Sequence, residues 1–309
     1  MIEKIEKLKR QILDIERKIE KSDDIKETLR LKKEKIKLES ELIEITEKEI
    51  GEDNSEGIMS LAEAMELYEA MPKQPLYQSG IEPIDRHLDG GFAMSQLVVV
   101  AGEKGAGKTM LLMQILRNVS HGFGTLLFSL EMPYWKIVER FRRYPLDRKV
   151  LKNLNIADKK FTLEAMESII KIKAKDGVKF FAIDSLMKIQ TLKNFTKPHE
   201  KYSHISATLS RIAIENDVII FLIAQMSKQD IQNNNLALKN SGDVEYDADL
   251  IFFLLKDKNI DNKRVLVCDK NRQTGEEFKE TLYVDKSKLE LSVVSPVEVV
   301  YDTTAVEAL

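Results

Sequence analysis

The sequence predicts an α/β domain built on a central, mostly parallel sheet and preceded by an N-terminal α-helical hairpin or coiled coil. Three observations carry this. From residue 76 onward, apolar β-branched runs alternate with stretches of helical periodicity, the rhythm of strands joined by crossover helices. Several of those runs end in one polar residue, at Glu131, Asp184 and Gln225. Residues 1–50, by contrast, contain no Gly or Pro and repeat apolar side chains at helical spacing. A chain of 309 residues holds one large domain plus an appendage. The net charge of −3 excludes a uniformly basic nucleic-acid binder, though not a local basic channel. The lone Cys268 excludes a disulfide framework or a cysteine zinc site and fits a buried, inert thiol. The four histidines, 87, 121, 199 and 204, lack metal-ligand spacing. No apolar run reaches 18 residues and the N-terminus opens with charges, which predicts a cytoplasmic protein without a membrane segment.

Residues 1–50 carry 14 Lys/Arg and 14 Asp/Glu, a solvated helix surface. Ile5, Leu8, Ile12, Ile15 and Ile19 trace a heptad seam. Ser22-Asp23-Asp24 interrupts it and caps a second helix, whose apolar rows are Leu29, Ile36, Ile43, Ile50 and Leu31, Leu38, Leu42, Ile45. A hairpin or one long helix satisfies this pattern, and either must pair its apolar face with itself, another subunit or a partner. Gly51 to Gly57 reads as an acidic linker. Ser60 then caps a short helix through Ala70, with Leu61, Ala64, Met65, Leu67 and Tyr68 on one side, a strap expected to dock on a neighbouring subunit. The predicted organisation is thus 1–50 hairpin or coiled coil, 51–76 linker and strap, 77–293 α/β domain, and 294–309 loosely held tail.

Strands are predicted at 96–101, 125–130, 178–183, 217–224 and 250–255, with helices at 107–120, 133–143, 163–175 and 199–215. Past Asp261 the pattern turns to antiparallel candidates at 264–269 and 277–284, joined at Asn271–Gly275, with a last strand at 288–293.

The chemistry concentrates at Val98 to Leu112, where Gly102-x4-Gly107-Lys108-Thr109 separates a strand from a helix. Glycines at these positions let consecutive N–H groups curl inward while the following helix aims its positive end at the same point, which is a phosphate-binding loop. Gly102, Glu103, Lys104, Gly105, Ala106, Gly107, Lys108 and Thr109, with Met110 behind them, form the candidate nucleotide-binding set. Lys108 would reach the β/γ-phosphates, and the Thr109 hydroxyl would hold Mg²⁺. Asp184, at the end of an apolar strand, would support Mg²⁺ through its water shell. Glu131, at another strand end, supplies a carboxylate to polarise the attacking water, or merely starts the helix after Pro133. Gln225 places an uncharged donor and acceptor where a γ-phosphate could be felt. The long stretch from Met226 to Ala248 holds Lys228, Lys239, Asn240, Ser241 and Gly242, suited to phosphate oxygens. Lys270 and Arg272 sit at a hairpin turn, either solvated or inserted into a neighbour's nucleotide site.

Taken in order, these motifs resemble the ATPase domain of DnaB-type replicative helicases, a branch of the RecA-like P-loop ATPases, from about Tyr77 to Leu291. Ser79-Gly-Ile-Glu-Pro-Ile-Asp85 with Gly90-Gly91 is similar to the family's lead-in, and Phe128-Ser-Leu-Glu-Met132 with Arg140 nine residues past Glu131 to its second-strand motif. Ser241-Gly-Asp-Val-Glu-Tyr-Asp-Ala-Asp249 is similar to its SG-x-I-E-x-DAD segment. The resemblance implies that Lys108 and Thr109 bind ATP and Mg²⁺ with Asp184 assisting, that Glu131 is the base and Gln225 the γ-phosphate sensor, and that Lys270 and Arg272 serve the next subunit. It implies single-stranded DNA contacts at Lys239, Asn240 and Gly242, and hexameric rings that move along one strand during DNA replication. The phosphate loop itself looks more like the RadA and KaiC branches, which makes a recombination ATPase or an ATP-switched regulator the alternatives. Residues 1–50 do not resemble the family's globular helical domain, so a primase or loader contact would fall to a different kind of N-terminal segment.

Overall fold

A computed structural model describes residues 59–70, 75–226, 236–238 and 242–293, together with scattered positions between Arg10 and Leu38, no more than three in a row, that are all helical. The Ser22–Asp24 break, the Gly51–Gly57 linker, Lys228, Lys239, Asn240, Ser241 and residues 294–309 lie outside the described residues. The chain divides into two compact units, Met1–Lys73 and Gln74–Leu309.

In the first unit, helix α1 spans Leu61–Ala70. Ser60 starts it as the sequence predicts, through a reciprocal cap: the Ser60 hydroxyl accepts the Glu63 N–H (3.2 Å) and the Glu63 carboxylate accepts the Ser60 N–H (2.7 Å). Leu61, Met65 and Tyr68 of its apolar side are exposed.

The second unit begins with α2 (Glu82–His87), which precedes β1 (Gln96–Gly102) and α3 (Lys108–Val119). Next come β2 (Gly124–Ser129), α4 (Tyr134–Phe141), α5 (Arg148–Asn153), β3 (Leu154–Ala157), α6 (Leu163–Lys175) and β4 (Val178–Asp184). A 3₁₀ turn at Leu186–Lys188 leads to α7 (Pro198–Glu215) and β5 (Ile219–Ile223). The unit ends with α8 (Gly242–Asp247), β6 (Leu250–Lys256), β7 (Lys263–Asn271), β8 (Phe278–Asp285) and β9 (Glu290–Ser292). Nine strands form one sheet in the order β3-β2-β4-β5-β1-β6-β7-β8-β9. The six from β3 to β6 are parallel, and β7 to β9 continue the sheet antiparallel.

Strand β1 shows why the central runs are apolar without alternation. Val98 and Val100 pack on one face with Leu111 and Leu112 of α3 and Ile137 of α4. Leu97, Val99 and Ala101 pack on the other with Met166 and Ile170 of α6 and Leu209 and Ile212 of α7. A parallel sheet covered on both faces has no solvent side to mark with polar residues.

The lead-in residues shape the entry to the sheet. The Asp85 carboxylate accepts the N–H groups of Ser79 (2.6 Å) and Gly80 (3.0 Å), closing the turn before α2. A Cβ on Gly91, where φ is +134°, would lie 2.3 Å from the Tyr77 carbonyl oxygen, so only glycine lets the chain cross there. The turn at Asn271–Gly275 forms as expected, with Asn271 Nδ2 donating to Thr274 Oγ1 (2.6 Å) and Gly275 at φ +75°. Elements α2, α5, β3 and α8 go beyond what periodicity predicts; each has four to six residues, too few to show a period.

Candidate functional site

The carboxyl ends of β1, β2, β4 and β5 converge, and a cavity of about 750 Å³ opens there. Adjacent parallel strands whose crossovers leave by opposite faces leave such a crevice at their carboxyl ends. Lys108, Thr109, Glu131, Asp184 and Gln225 all line it, together with Lys104, Gly105, Gly107, Met110 and Arg140.

The loop after β1 turns on glycines at positive φ, Gly102 (+152°), Gly105 (+75°) and Gly107 (+110°), and feeds directly into α3. The first turn of α3 carries no acidic side chain, so its N-terminal end keeps its positive character toward the cavity. Buried Lys108 donates from Nζ to the carbonyls of Gly102 and Glu103, both at 2.9 Å. Burial pulls its ammonium below the usual lysine range, opposed by the charges of Asp184 and Glu131. Thr109 Oγ1 donates to Asp184 Oδ2 at 2.7 Å, joining the loop to the end of β4. Asp184 is 3 % exposed. Burial lifts its carboxyl above the usual range, the Thr109 hydrogen bond opposes that, and repulsion from Glu131 adds to it.

Glu131 stands two residues beyond the β2 position that pairs with Asp184. Ser185 Oγ donates to Glu131 Oε1 at 2.7 Å and so holds the carboxylate at the cavity wall. Sequence reasoning does not single out Ser185; a serine after an acidic strand end carries no signal of its own. It also misses the far wall, Tyr144 and Leu289, where the Tyr144 hydroxyl donates to the Leu289 carbonyl and the Arg117 guanidinium lies 4.2 Å over the Tyr144 ring.

The family model described as DnaB-like helicase C terminal domain matches residues 77–145 and 148–288, more than half of the chain. The chain belongs to the DnaB-like helicase C-terminal domain family. It is 28 % identical over 247 residues to the replicative DNA helicase DnaB of Mycoplasma pneumoniae, a match covering 63 % of this chain and 52 % of that one. It is 26 % identical over 162 residues to the DNA repair protein RadA of Pseudomonas aeruginosa, covering 52 % of this chain and 34 % of that one. The chain thus spans about half, or less, of the length of these relatives. Among solved structures, a separately solved ATPase domain superposes with a TM-score of 0.66 at 24 % identity, covering 77 % of this chain and 100 % of that one. The fold is that of a RecA-like P-loop ATPase.

Within this DnaB-like domain, Lys270 and Arg272 do not join the cavity. Lys270 Nζ donates to the carbonyls of Glu245 (2.6 Å) and Tyr246 (2.9 Å). Arg272 donates to the Tyr246 carbonyl (2.8 Å) and pairs with Asp249 at 3.4 Å. Both sit level with the start of β6, since Asn271 pairs with Leu250, whereas the phosphate loop sits level with its end, since Gly102 pairs with Leu254. The rise of β6 from Leu250 to Leu254 separates the two, roughly 13 Å at 3.3 Å per residue. Of the expected DNA contacts, Gly242 begins α8, and Lys239 and Asn240 lie outside the described residues. Cys268 is buried, which pushes its thiol up to about 12. Among the described residues, no group of His, Cys, Asp and Glu could hold a metal ion by itself, and no helix is long and apolar enough to cross a membrane.

Proposed function

We propose that this chain is an ATP-hydrolysing, ring-forming helicase that moves along single-stranded DNA in replication. The carrying observation is the separation of Lys270 and Arg272 from the phosphate loop of their own subunit. Two cations held at the far end of β6, away from that subunit's nucleotide, support a role at a neighbour's site. Membership of the DnaB-like family and the likeness to a replicative DNA helicase support the reading.

In this reading the N–H groups of Gly105 and Gly107 and the α3 terminus bind the triphosphate, and Lys108 leaves its two carbonyls for the β/γ-phosphates. Thr109 and Asp184, already joined by a hydrogen bond, are an all-oxygen donor pair suited to Mg²⁺, which would neutralise charge on the β- and γ-phosphates. Glu131, held by Ser185, takes the proton of the attacking water. Gln225 senses the γ-phosphate and passes its presence to the segment that follows it. Lys239, Asn240 and Gly242 contact DNA phosphates, and a hexamer closes around the strand. Residues 77–293 are the motor, the 61–70 strap docks on a neighbouring subunit, and residues 1–50 pair with other subunits, a primase or a loader. The protein works in the cytoplasm.

The test is ATPase rate with and without single-stranded DNA, followed by unwinding of a forked duplex. Stimulation and strand separation are expected; the absence of both refutes the proposal. The likeness to RadA supports a second reading, a recombination ATPase, which predicts open filaments and strand pairing in place of closed rings.

A further inference from the structure

We propose that Lys256 and Arg264, on the hairpin between β6 and β7, are positioning residues that aim the phosphate loop's N–H donors at the triphosphate. The inference rests on the nucleotide-binding reading above and adds two residues outside the loop to that site.

Lys256 and Arg264 stand directly opposite each other across the β6–β7 pair. Like charges in that relation oppose strand pairing, so their presence calls for another reason. Both side chains end on carbonyls of the phosphate loop. Lys256 Nζ donates to the Lys104 carbonyl at 2.9 Å, and Arg264 Nε donates to the Ala106 carbonyl at 2.7 Å. Arg264 is 7 % exposed, and its remaining hydrogen bonds go to the carbonyls of Asp261 (2.6 Å) and Lys263 (2.7 Å). Among the described residues no carboxylate shares a hydrogen bond with it; the Asp261 carboxylate pairs with Lys286 instead. A buried cation held only by carbonyl dipoles is well placed to be completed by an anion.

The peptide unit makes the link. In a planar trans peptide a carbonyl and the N–H that follows it point in opposite directions. Holding the Lys104 carbonyl toward Lys256 turns the Gly105 N–H the other way, and holding the Ala106 carbonyl toward Arg264 does the same for Gly107. Gly105 and Gly107 both line the cavity. Among the described residues neither N–H donates to a main-chain acceptor. The hairpin is firm enough to hold its cations: the Asp257 carboxylate accepts the N–H groups of Asn259 (2.9 Å) and Ile260 (3.1 Å) and pairs with Lys263 at 3.2 Å.

The experiment compares the full chain with Lys256→Met, Arg264→Met, Arg264→Lys and Lys108→Ala. Binding of a non-hydrolysable ATP analogue with Mg²⁺ is titrated, and thermal unfolding is followed with and without it. Lys256→Met is expected to weaken binding several-fold and Arg264→Met about tenfold or more, the loss of a charge-assisted hydrogen bond each. Arg264→Lys falls between, keeping the charge without the guanidinium fork. The diagnostic result is that Lys256→Met unfolds no earlier than the parent without nucleotide, because relief of the like-charge pair offsets the loss of one exposed hydrogen bond to the Lys104 carbonyl, yet gains less from nucleotide. Lys256 is exposed, so this variant carries the test if Arg264→Met does not fold. Binding of Lys256→Met within twofold of the parent, while Lys108→Ala abolishes it, overturns the proposal and leaves the nucleotide site standing. So does a loss of ligand-free stability that accounts for the weaker binding. A parent chain that binds no analogue overturns the nucleotide reading and this proposal with it.

Discussion

Replacing Gly102 with alanine places a methyl carbon 2.3 Å from the Leu254 carbonyl oxygen and 3.3 Å from its carbon, both main-chain atoms of β6. Neither can rotate away. Relief needs β1 and β6 to part by roughly 1 Å at the mouth of the site, given the 3.5–4.0 Å of an ordinary contact. Overpacking of this kind costs about 1–3 kcal/mol, and a weakened ladder hydrogen bond adds about 1 kcal/mol. The backbone at φ +152° opposes a side chain as well. We expect Gly102→Ala to destabilise the domain by about 3 kcal/mol, a fall in Tm of about 6–12 °C for a domain of this size. Gly105→Ala is the control. There the nearest atom is Lys256 Nζ at 3.4 Å, the free end of a long side chain, and the cost is the φ of +75° alone, about 1 kcal/mol. Thermal unfolding by circular dichroism without nucleotide checks both. If Gly102→Ala melts at or above Gly105→Ala, the neighbouring strand is not what requires the first glycine of the loop.

Glu131→Gln keeps an acceptor for Ser185 and removes the base: kcat should fall by about 10²–10⁴-fold with analogue binding little changed, and a kcat within tenfold of the parent would exclude Glu131 as the base. Arg272→Ala should bind nucleotide normally and lose about 10³-fold or more in kcat. Mixing it with Lys108→Ala should recover activity beyond the sum of the two, whereas simple additivity would mean that Arg272 does not act on a neighbour. Asp184→Asn separates stability from chemistry. Burial raises the Asp184 carboxyl in the folded chain, so its contribution favours folding below about pH 4 and is lost as pH rises through the raised value. The ligand-free variant should therefore melt above the parent at pH 7, with the gap closing toward pH 4, while Mg²⁺-dependent hydrolysis is lost. An equal or lower Tm at pH 7 would contradict the sign.

The parts of this chain legible in its sequence are those whose signals are local. Helix α6 begins and ends where its pattern says, because the Thr162 hydroxyl accepts the Ala165 N–H and Gly177 takes φ +89° after it. Each central strand reads as one apolar run because both of its faces are covered. The pair α5 and β3 is not legible, because an edge strand of four residues, three half-buried and Asn155 exposed, has neither a continuous apolar run nor an alternation; the Asp147 cap on the Val150 N–H is the one local sign of it. Helix α8 reads as part of a long loop because six residues give no period. The phosphate loop, Glu131, Asp184 and Gln225 are visible as motif and strand ends. Ser185, Lys256 and Arg264 are not, since what matters about them is the partner that β4, β6 and β7 bring across the sheet.

The opposite placement of the phosphate loop and the Lys270–Arg272 pair makes the two ends of β6 unlike surfaces. A twofold axis mates a surface with itself, so no isologous dimer satisfies both ends of either chain. Subunits that meet cavity to cation pair must follow one another in a single rotational sense, and the series ends only when the rotation per subunit divides a full circle. Every site in such a series is then the joint property of two chains. In a series of that kind a defect in one chain would silence its own site or its neighbour's, according to which end of the strand it strikes.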